Sequence, residues 1–325
     1  MSAIAAPFIP WVGGKEKLVP YISQVLPPNV HQLLDPFGGG GALTLGLPTC
    51  PSRLDIYNDF NSDLVNLFVC VRDCLLALLK ELDFLPLHSR AEFDDLKSLL
   101  AHAPLAPEEL ENWEAKELEI AASFPESEAT ELLAILKGKA ELRNVQRAAA
   151  FYKTSRGSFS GTRSSFGVKR NNIRRFRYQL ERASKRLQDV VIENKDAMSL
   201  IPERDISNGI VYCDPPYYEA EQLYEAEFGR RDHVRLFHVL KACKGYVVVS
   251  YNDCPYIRNL YKDFFIITLQ RDNPMAKKKK AVYRELIITN YDPRQFWDKQ
   301  LDLFEEPGTK WTMDLVHIPR KILKQ

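Results

Sequence analysis

The sequence predicts an α/β protein: an open sheet in two halves, with a largely helical segment inserted between them. Three observations carry that expectation. Strand-like runs alternate with helix-spaced runs over residues 1–79 and again from Gly209 onward. A glycine-rich turn, Asp35-Pro36-Phe37-Gly38-Gly39-Gly40-Gly41, directly follows one of the strand-like runs. The stretch between the halves is first acidic and then basic, without strand signals.

The elements follow in order. Leu33–Asp35 ends a short apolar run and Arg53–Asn58 is a second strand. Leu64, Leu67, Phe68, Val71, Leu75, Leu78 and Leu79 recur at helical spacing, which predicts one helix over 64–79. Pro107 with Glu108 and Glu109, and Pro125 with Glu126 and Glu128, are helix openings, since proline suits the first turn and acids suit the dipole there. Residues 80–150 therefore read as a helical lobe. Gly157, Gly161 and Gly167 lie among serines and arginines in a basic loop, and 172–188 read as a basic helix. Ile210–Cys213, Tyr246–Tyr251, Phe264–Leu269 and Glu285–Thr289 are further strands, the last two joined by a loop carrying Lys277–Lys280. The expected division is a discontinuous core, 1–79 and 186–325, with an insertion over 80–185.

Composition narrows the class. The 325 residues are 45% hydrophobic and 27% charged, which excludes fibrous, collagen-like and wholly disordered chains. No apolar run approaches the roughly 18–20 residues that span a bilayer, so no membrane partner is expected. The opening MSAIAAPFIPWVGGK lacks the basic leader of a secretion signal. The six cysteines (50, 70, 74, 213, 243 and 254) form no CxxC pair, and the histidines show no ligand spacing. A reduced, cytoplasmic protein without a metal site is expected. The net charge of +1 hides an asymmetry: Glu81–Glu131 holds 14 acids and 3 Lys/Arg, whereas Phe151–Val190 holds 11 Lys/Arg and 2 acids. The basic segment predicts a polyanionic partner.

Two motifs carry chemistry. The glycine turn sits where a parallel strand delivers a ligand to the carboxyl edge of a sheet. Its glycines let backbone approach that ligand closely. It lacks the third glycine of G-x-G-x-x-G, because Leu43 stands in that place. Asp59, at the end of the next strand, suits ribose hydroxyls. A plain tight turn with a capping aspartate is the competing reading. The second motif is Asp214-Pro215-Pro216-Tyr217, directly after a strand. Its prolines fix an extended turn that holds a carboxylate and a backbone carbonyl at a set separation beside an aromatic face. Two acceptors and a stacking ring suit a planar exocyclic amine.

With these motifs in hand, the chain resembles the Dam-type DNA adenine N6-methyltransferases over nearly its whole length. Trp11-Val12-Gly13-Gly14-Lys15 is similar to the family's WxGGK, Asp35–Gly41 to DPFxGxG, Asn58–Leu64 to NDxNxDL, and Asp214–Tyr217 to DPPY. The resemblance implies the Rossmann-like, seven-stranded class I methyltransferase sheet with an inserted target-recognition lobe. It implies S-adenosylmethionine as methyl donor, bound by Trp11, Lys15, Asp35, Phe37, Gly39, Gly41, Asp59, Asp196 and Asp214. Asp214, Pro215, Pro216 and Tyr217 are then the catalytic residues.

The resemblance also locates partners. Residues 151–179 lie where the family contacts DNA, so Lys153, Arg156, Arg163, Lys169, Arg170, Arg174 and Arg175 are expected to meet double-stranded DNA; a solvated basic face is the plainer alternative. Arg156-Gly157-Ser158-Phe159 lacks the asparagine usual there. Gln300-Leu301-Asp302-Leu303-Phe304 resembles the bacterial sliding-clamp-binding pentapeptide, with Gln300, Leu301, Leu303 and Phe304 as its contacts. The competing reading packs Leu301 and Phe304 on the core. The expectation is a site-specific DNA adenine methyltransferase that extrudes its target base, acting as a monomer in the bacterial cytoplasm at the nucleoid. The same chemistry on RNA, and a catalytically idle DNA- or clamp-binding protein, are the alternatives.

Overall fold

The structure is a computed structural model that describes residues 4–84, 90–101, 144–158, 167, 176–219, 228–272, 282–297 and 311–319. It divides into two compact units, residues 1–7, 12–60 and 186–325 forming one, and residues 8–11 and 61–185 the other. The helices in chain order are α1 (Val19–Ser23), α2 (Ala42–Gly46), α3 (Ser62–Asp73), α4 (Leu75–Phe84), α5 (Arg90–Ala101), α6 (144–157), α7 (Arg177–Leu187), α8 (Ala197–Arg204), α9 (Arg230–Lys241) and α10 (Pro255–Leu260).

The first unit holds one sheet. Its strands are β1 (Gln32–Asp35), β2 (Leu54–Asn58), β3 (Val190–Glu193), β4 (Gly209–Cys213), β5 (Tyr246–Asn252), β6 (Phe265–Asp272), β7 (Val282–Thr289) and β8 (Thr312–His317). Their order is β3-β2-β1-β4-β5-β7-β6-β8. The first five run parallel, while β7, β6 and β8 pair antiparallel beyond β5. From β1 the chain proceeds to β2 and β3 on one side and returns through β4 and β5 on the other. The carboxyl ends of β1 and β4 therefore flank the point where strand order reverses, which is where open α/β sheets leave a crevice.

Each central strand is apolar on both faces, as a parallel sheet covered on both sides requires. Leu34, Ile56, Val211, Val247 and Val249 join α8, α9 and α10 in one core. Leu33, Ile210, Tyr212 and Val248 join α1 and α2 in another. Arg186, wholly buried, ties the end of α7 to this unit: its Nε donates to the Leu47 carbonyl at 3.0 Å and its guanidinium pairs with Asp55 at 2.5 Å.

Two features correct the sequence reading. Among the described residues the sheet has eight strands, not seven; β8 joins at the rim beside β6, and its alternation of exposed and half-buried residues gives it little apolar signal. The helix expected over 64–79 is two helices, because Cys74 leaves helical geometry at φ −125° and ψ 29°. Apolar spacing continues across that break and conceals it.

In the second unit, Arg147 pairs with Asp63, its Nη2 donating to Oδ2 at 2.9 Å, and Asn66 donates to the Asn144 carbonyl at 2.9 Å. Phe8 packs on Phe68 with ring centres 4.8 Å apart. The helix openings at Pro107 and Pro125 and the Lys277–Lys280 loop lie outside the described residues. No helix among the described residues is long and apolar enough to cross a membrane.

Candidate active site

The glycine turn is shaped by β2 beneath it. Gly38 N–H donates to the Asn58 carbonyl at 2.8 Å, and a Cβ on Gly38 would lie 2.2 Å from the Tyr57 ring. Only glycine fits there. Gly39 and Gly41 take φ of 49° and 72°, the left-handed region that glycine adopts without strain. Tyr57 donates its hydroxyl to the Gly39 carbonyl at 2.8 Å, and Asp59 Oδ2 accepts the Gly39 N–H at 2.9 Å. The Asn58 amide donates to the carbonyls of Pro36 (2.9 Å) and Lys195 (3.0 Å) and accepts from Lys195 N–H at 2.8 Å. One side chain thus staples the loops that follow β1, β2 and β3.

Asp35 closes β1 as a buried acid. Thr44, in α2, donates to its Oδ2 at 2.8 Å, whereas Oδ1 is buried without a hydrogen-bond partner among the described residues. Burial pushes its carboxyl up to about 7, the Thr44 hydrogen bond opposes that, and the charges of Asp214 and Asp59 reinforce it.

Asp214 leaves the end of β4. Lys15, itself 5% exposed, places Nζ 3.1 Å from Asp214 Oδ1, donates to the Gly13 carbonyl at 2.7 Å, and lies 4.4 Å from the centre of the Tyr217 ring. Burial raises the Asp214 carboxyl above its ordinary value and the Lys15 charge pulls it back. Burial also keeps the Tyr217 phenol protonated, far above its usual value. That phenol donates to Glu285 Oε2 on β7. Burial raises the Glu285 carboxyl too, while Lys15 lowers it.

Sequence reasoning missed Glu285 and Thr44, and gave no role to Asn58 although it opens the NDxNxDL segment. The signal for Glu285 was present: it is an acid inside the run Val282-Tyr283-Arg284-Glu285-Leu286-Ile287-Ile288-Thr289, where an unpaired charge is costly. Asn58 and Thr44 act through hydrogen bonds that no spacing encodes.

Of the residues singled out in the sequence, Lys15, Asp35, Phe37, Gly39, Gly41, Asp59, Asp196 and Asp214–Tyr217 belong to the first unit. Phe37 packs edge-on to Phe228 at 5.8 Å. Asp196 caps α8, accepting Met198 N–H at 3.3 Å and the Ser199 hydroxyl at 3.2 Å. Trp11 belongs to the second unit, its ring 6.4 Å from Phe151.

The two described basic residues differ from an exposed phosphate-binding face. Lys153 is 1% exposed, with Nζ 3.4 Å from the Glu81 carbonyl. The Arg156 guanidinium donates to the Phe8 carbonyl and to Gln179 (3.2 Å), and lies 3.5 Å from the Phe176 ring centre. Arg163, Lys169, Arg170, Arg174, Arg175, Gln300, Leu301, Leu303 and Phe304 lie outside the described residues. No group of His, Cys, Asp and Glu among the described residues is arranged to hold a metal ion.

Comparison with known proteins supplies the identity of this arrangement. A model of the D12 class N6 adenine-specific DNA methyltransferases matches residues 11–274. The type II methyltransferase M1.LlaDCHI of Lactococcus lactis subsp. cremoris is 27% identical over 307 residues, covering 88% of this chain and 95% of that protein. The type II methyltransferase M.MjaIII of Methanocaldococcus jannaschii is 26% identical, covering 88% of this chain and 99% of its own. A DNA adenine methylase of Haemophilus influenzae is 24% identical, with coverages of 86% and 92%. With a match that runs from the WxGGK segment past the DPPY tetrapeptide, the chain belongs to the D12 class N6 adenine-specific DNA methyltransferase family.

Proposed function

We propose that methyl transfer to adenine N6 takes place where the carboxyl ends of β1 and β4 meet, with Asp214 as the residue that activates the amine. The observation that carries the proposal is the buried Lys15–Asp214 pair at 3.1 Å, directly before the two prolines and beside the Tyr217 ring. The family implies S-adenosylmethionine as donor, which when bound supplies an electrophilic methyl group on a sulfonium. The residues present fit that group. Asp35 offers a buried carboxylate oxygen without a partner, suited to a cationic ligand, and Gly38 to Gly41 bring backbone close to the crevice. Lys15, Asp35, Phe37, Gly39, Gly41, Asp59 and Asp196 would hold it.

The N6 lone pair is delocalised into the purine ring, so the amine is a weak nucleophile. Hydrogen bonds from its two N–H groups to the Asp214 carboxylate and the Pro215 carbonyl favour a tetrahedral nitrogen and localise that pair. Pro216 keeps the turn extended. Tyr217 stacks on the adenine. Reaching this position requires the base to leave the duplex. The basic stretch with Arg163, Lys169, Arg170, Arg174 and Arg175 neutralises phosphates of double-stranded DNA, and Gln300–Phe304 would dock a sliding clamp, tethering a monomeric enzyme to replicating DNA.

The test is transfer from labelled S-adenosylmethionine to unmethylated genomic DNA, with nucleoside analysis and mapping of the modified positions. N6-methyladenine at one short sequence is the expected product, absent with Asp214→Ala. Label in RNA alone would move the substrate class, and label in DNA with Asp214→Ala as active as the wild type would remove Asp214 from catalysis.

A further inference from the structure

Glu285 is delivered from the half of the sheet that the catalytic motifs do not use. It sits within β7, opposite Asn252 of β5 and Leu269 of β6. The antiparallel strands thereby bring a carboxylate to the edge on which β1 and β4 open. Its Oε2 accepts the Tyr217 hydroxyl. The ring of Tyr217 is held on two further sides, by Lys15 Nζ at 4.4 Å from its centre and by the Tyr251 ring at 6.2 Å. Packing alone would be better served at a strand position by a β-branched apolar residue, since a buried carboxylate is unfavourable without a partner. A tyrosine whose hydroxyl is anchored cannot swing away from the catalytic turn, and the Lys15 and Tyr251 contacts oppose rotation of the ring about its own axis.

We propose that Glu285 is a positioning residue for methyl transfer: by accepting the Tyr217 hydroxyl it fixes the ring on which the target adenine stacks. The role rests on the reading of Asp214–Tyr217 as the catalytic turn. Orientation of this kind is worth up to about a hundredfold in rate when a reacting group is displaced by an ångström. It acts on the reactive geometry more than on affinity, so it belongs in the rate of the bound complex.

The experiment compares single-turnover methyl transfer to duplex DNA by the wild type, Glu285→Leu, Glu285→Gln, Tyr217→Phe and the Tyr217→Phe/Glu285→Leu double variant, with thermal melting of each. Glu285→Leu is expected to lower the rate about 10- to 100-fold, with the KM for donor and DNA changed less than about threefold. Glu285→Gln, which keeps an oxygen acceptor, recovers most of the loss. In the Tyr217→Phe background, Glu285→Leu costs less than about threefold, because the contact is already gone. A Glu285→Leu variant as fast as the wild type, a glutamine variant no faster than the leucine one, or a loss undiminished by Tyr217→Phe each overturns the assignment. If the leucine variant does not fold, Tyr217→Phe alone decides, and an unchanged rate there overturns it. A wild type that methylates no adenine overturns the catalytic reading and this role with it, an outcome distinct from loss of the Glu285 effect alone.

Discussion

Thr44 Oγ1 donates to Asp35 Oδ2 at 2.8 Å, while the opposite oxygen of the same buried carboxyl has no hydrogen-bond partner among the described residues. Burial, with Asp214 and Asp59 adding like charge against the Thr44 hydrogen bond, pushes this carboxyl up to about 7 from its ordinary 3.8.

That shift makes the free protein's stability depend on pH in a definite direction. A folded-state value above the unfolded one means that the folded form binds the proton more tightly. The stability this confers is complete below the unfolded value near 4, declines as pH rises toward 7, and is constant beyond. The slope is at most about 1.4 kcal/mol per pH unit. Asp35→Asn should therefore stabilise the free protein over the wild type by about 2 kcal/mol more at pH 8 than at pH 5, while weakening donor binding. Urea denaturation at the two pH values measures the difference, and an equal gap at both would show that Asp35 ionises normally.

The Gly38 position tolerates no side chain. A methyl there would lie 2.2 and 2.4 Å from Tyr57 ring carbons and 3.0 Å from the Asn58 carbonyl. Gly38→Ala should cost about 1–3 kcal/mol and weaken donor affinity, because the displaced turn carries Gly39, whose N–H Asp59 accepts. Trimming the obstruction in a Gly38→Ala/Tyr57→Leu variant should return part of the stability. If the double variant is no more stable than Gly38→Ala alone, the clash is not the cause.

The legible parts of this molecule are those in which one residue type has one physical use. Four glycines after a strand, and an aspartate followed by two prolines, identify the carboxyl ends of β1 and β4 because few other sequences make those turns. Strand β3 escaped because its apolar run, Val190–Ile192, is only three residues long, and β8 because its exposed and half-buried residues alternate without such a run. Lys153 read as a surface charge because sequence gives its neighbours in the chain and not Glu81, whose carbonyl faces its ammonium. Glu285 was written in the sequence as an anomaly, yet its meaning depends on a tyrosine 68 positions away.

Arg186 tests how the end of α7 is fixed. It is 0% exposed, faces Asp55 at 2.5 Å and donates to the Leu47 carbonyl at 3.0 Å, while Arg53 holds the other side of Asp55 at 2.6 Å. Arg186→Ala removes one partner of a buried pair and should cost about 3–5 kcal/mol. Arg53→Ala, at a side chain 14% exposed, should cost less than Arg186→Ala by denaturant titration. Equal losses would mean that Asp55 is held as strongly from the rim as from the interior.

Lys15 and Asp214 make the acid limb of turnover diagnostic. On the proposed role of Asp214, its ionised form is the stronger acceptor for the amine and the active one. Burial raises its carboxyl and Lys15 lowers it, so activity falls as pH drops through a value above the ordinary 3.8. Replacing Lys15 by methionine removes the lowering influence, and the limb should move to higher pH. At saturating donor and DNA, the ratio of wild-type to Lys15→Met kcat should thus be largest on the acid side and shrink toward pH 9. Asp35 and Glu285 also face this site and titrate from raised values. Of these two, the Lys15 charge acts on Glu285, so the profile is repeated in the Glu285→Gln background. A ratio that still varies with pH there assigns the shift to Asp214, and a ratio constant from pH 5.5 to 9 would mean that Lys15 serves binding without keeping Asp214 charged.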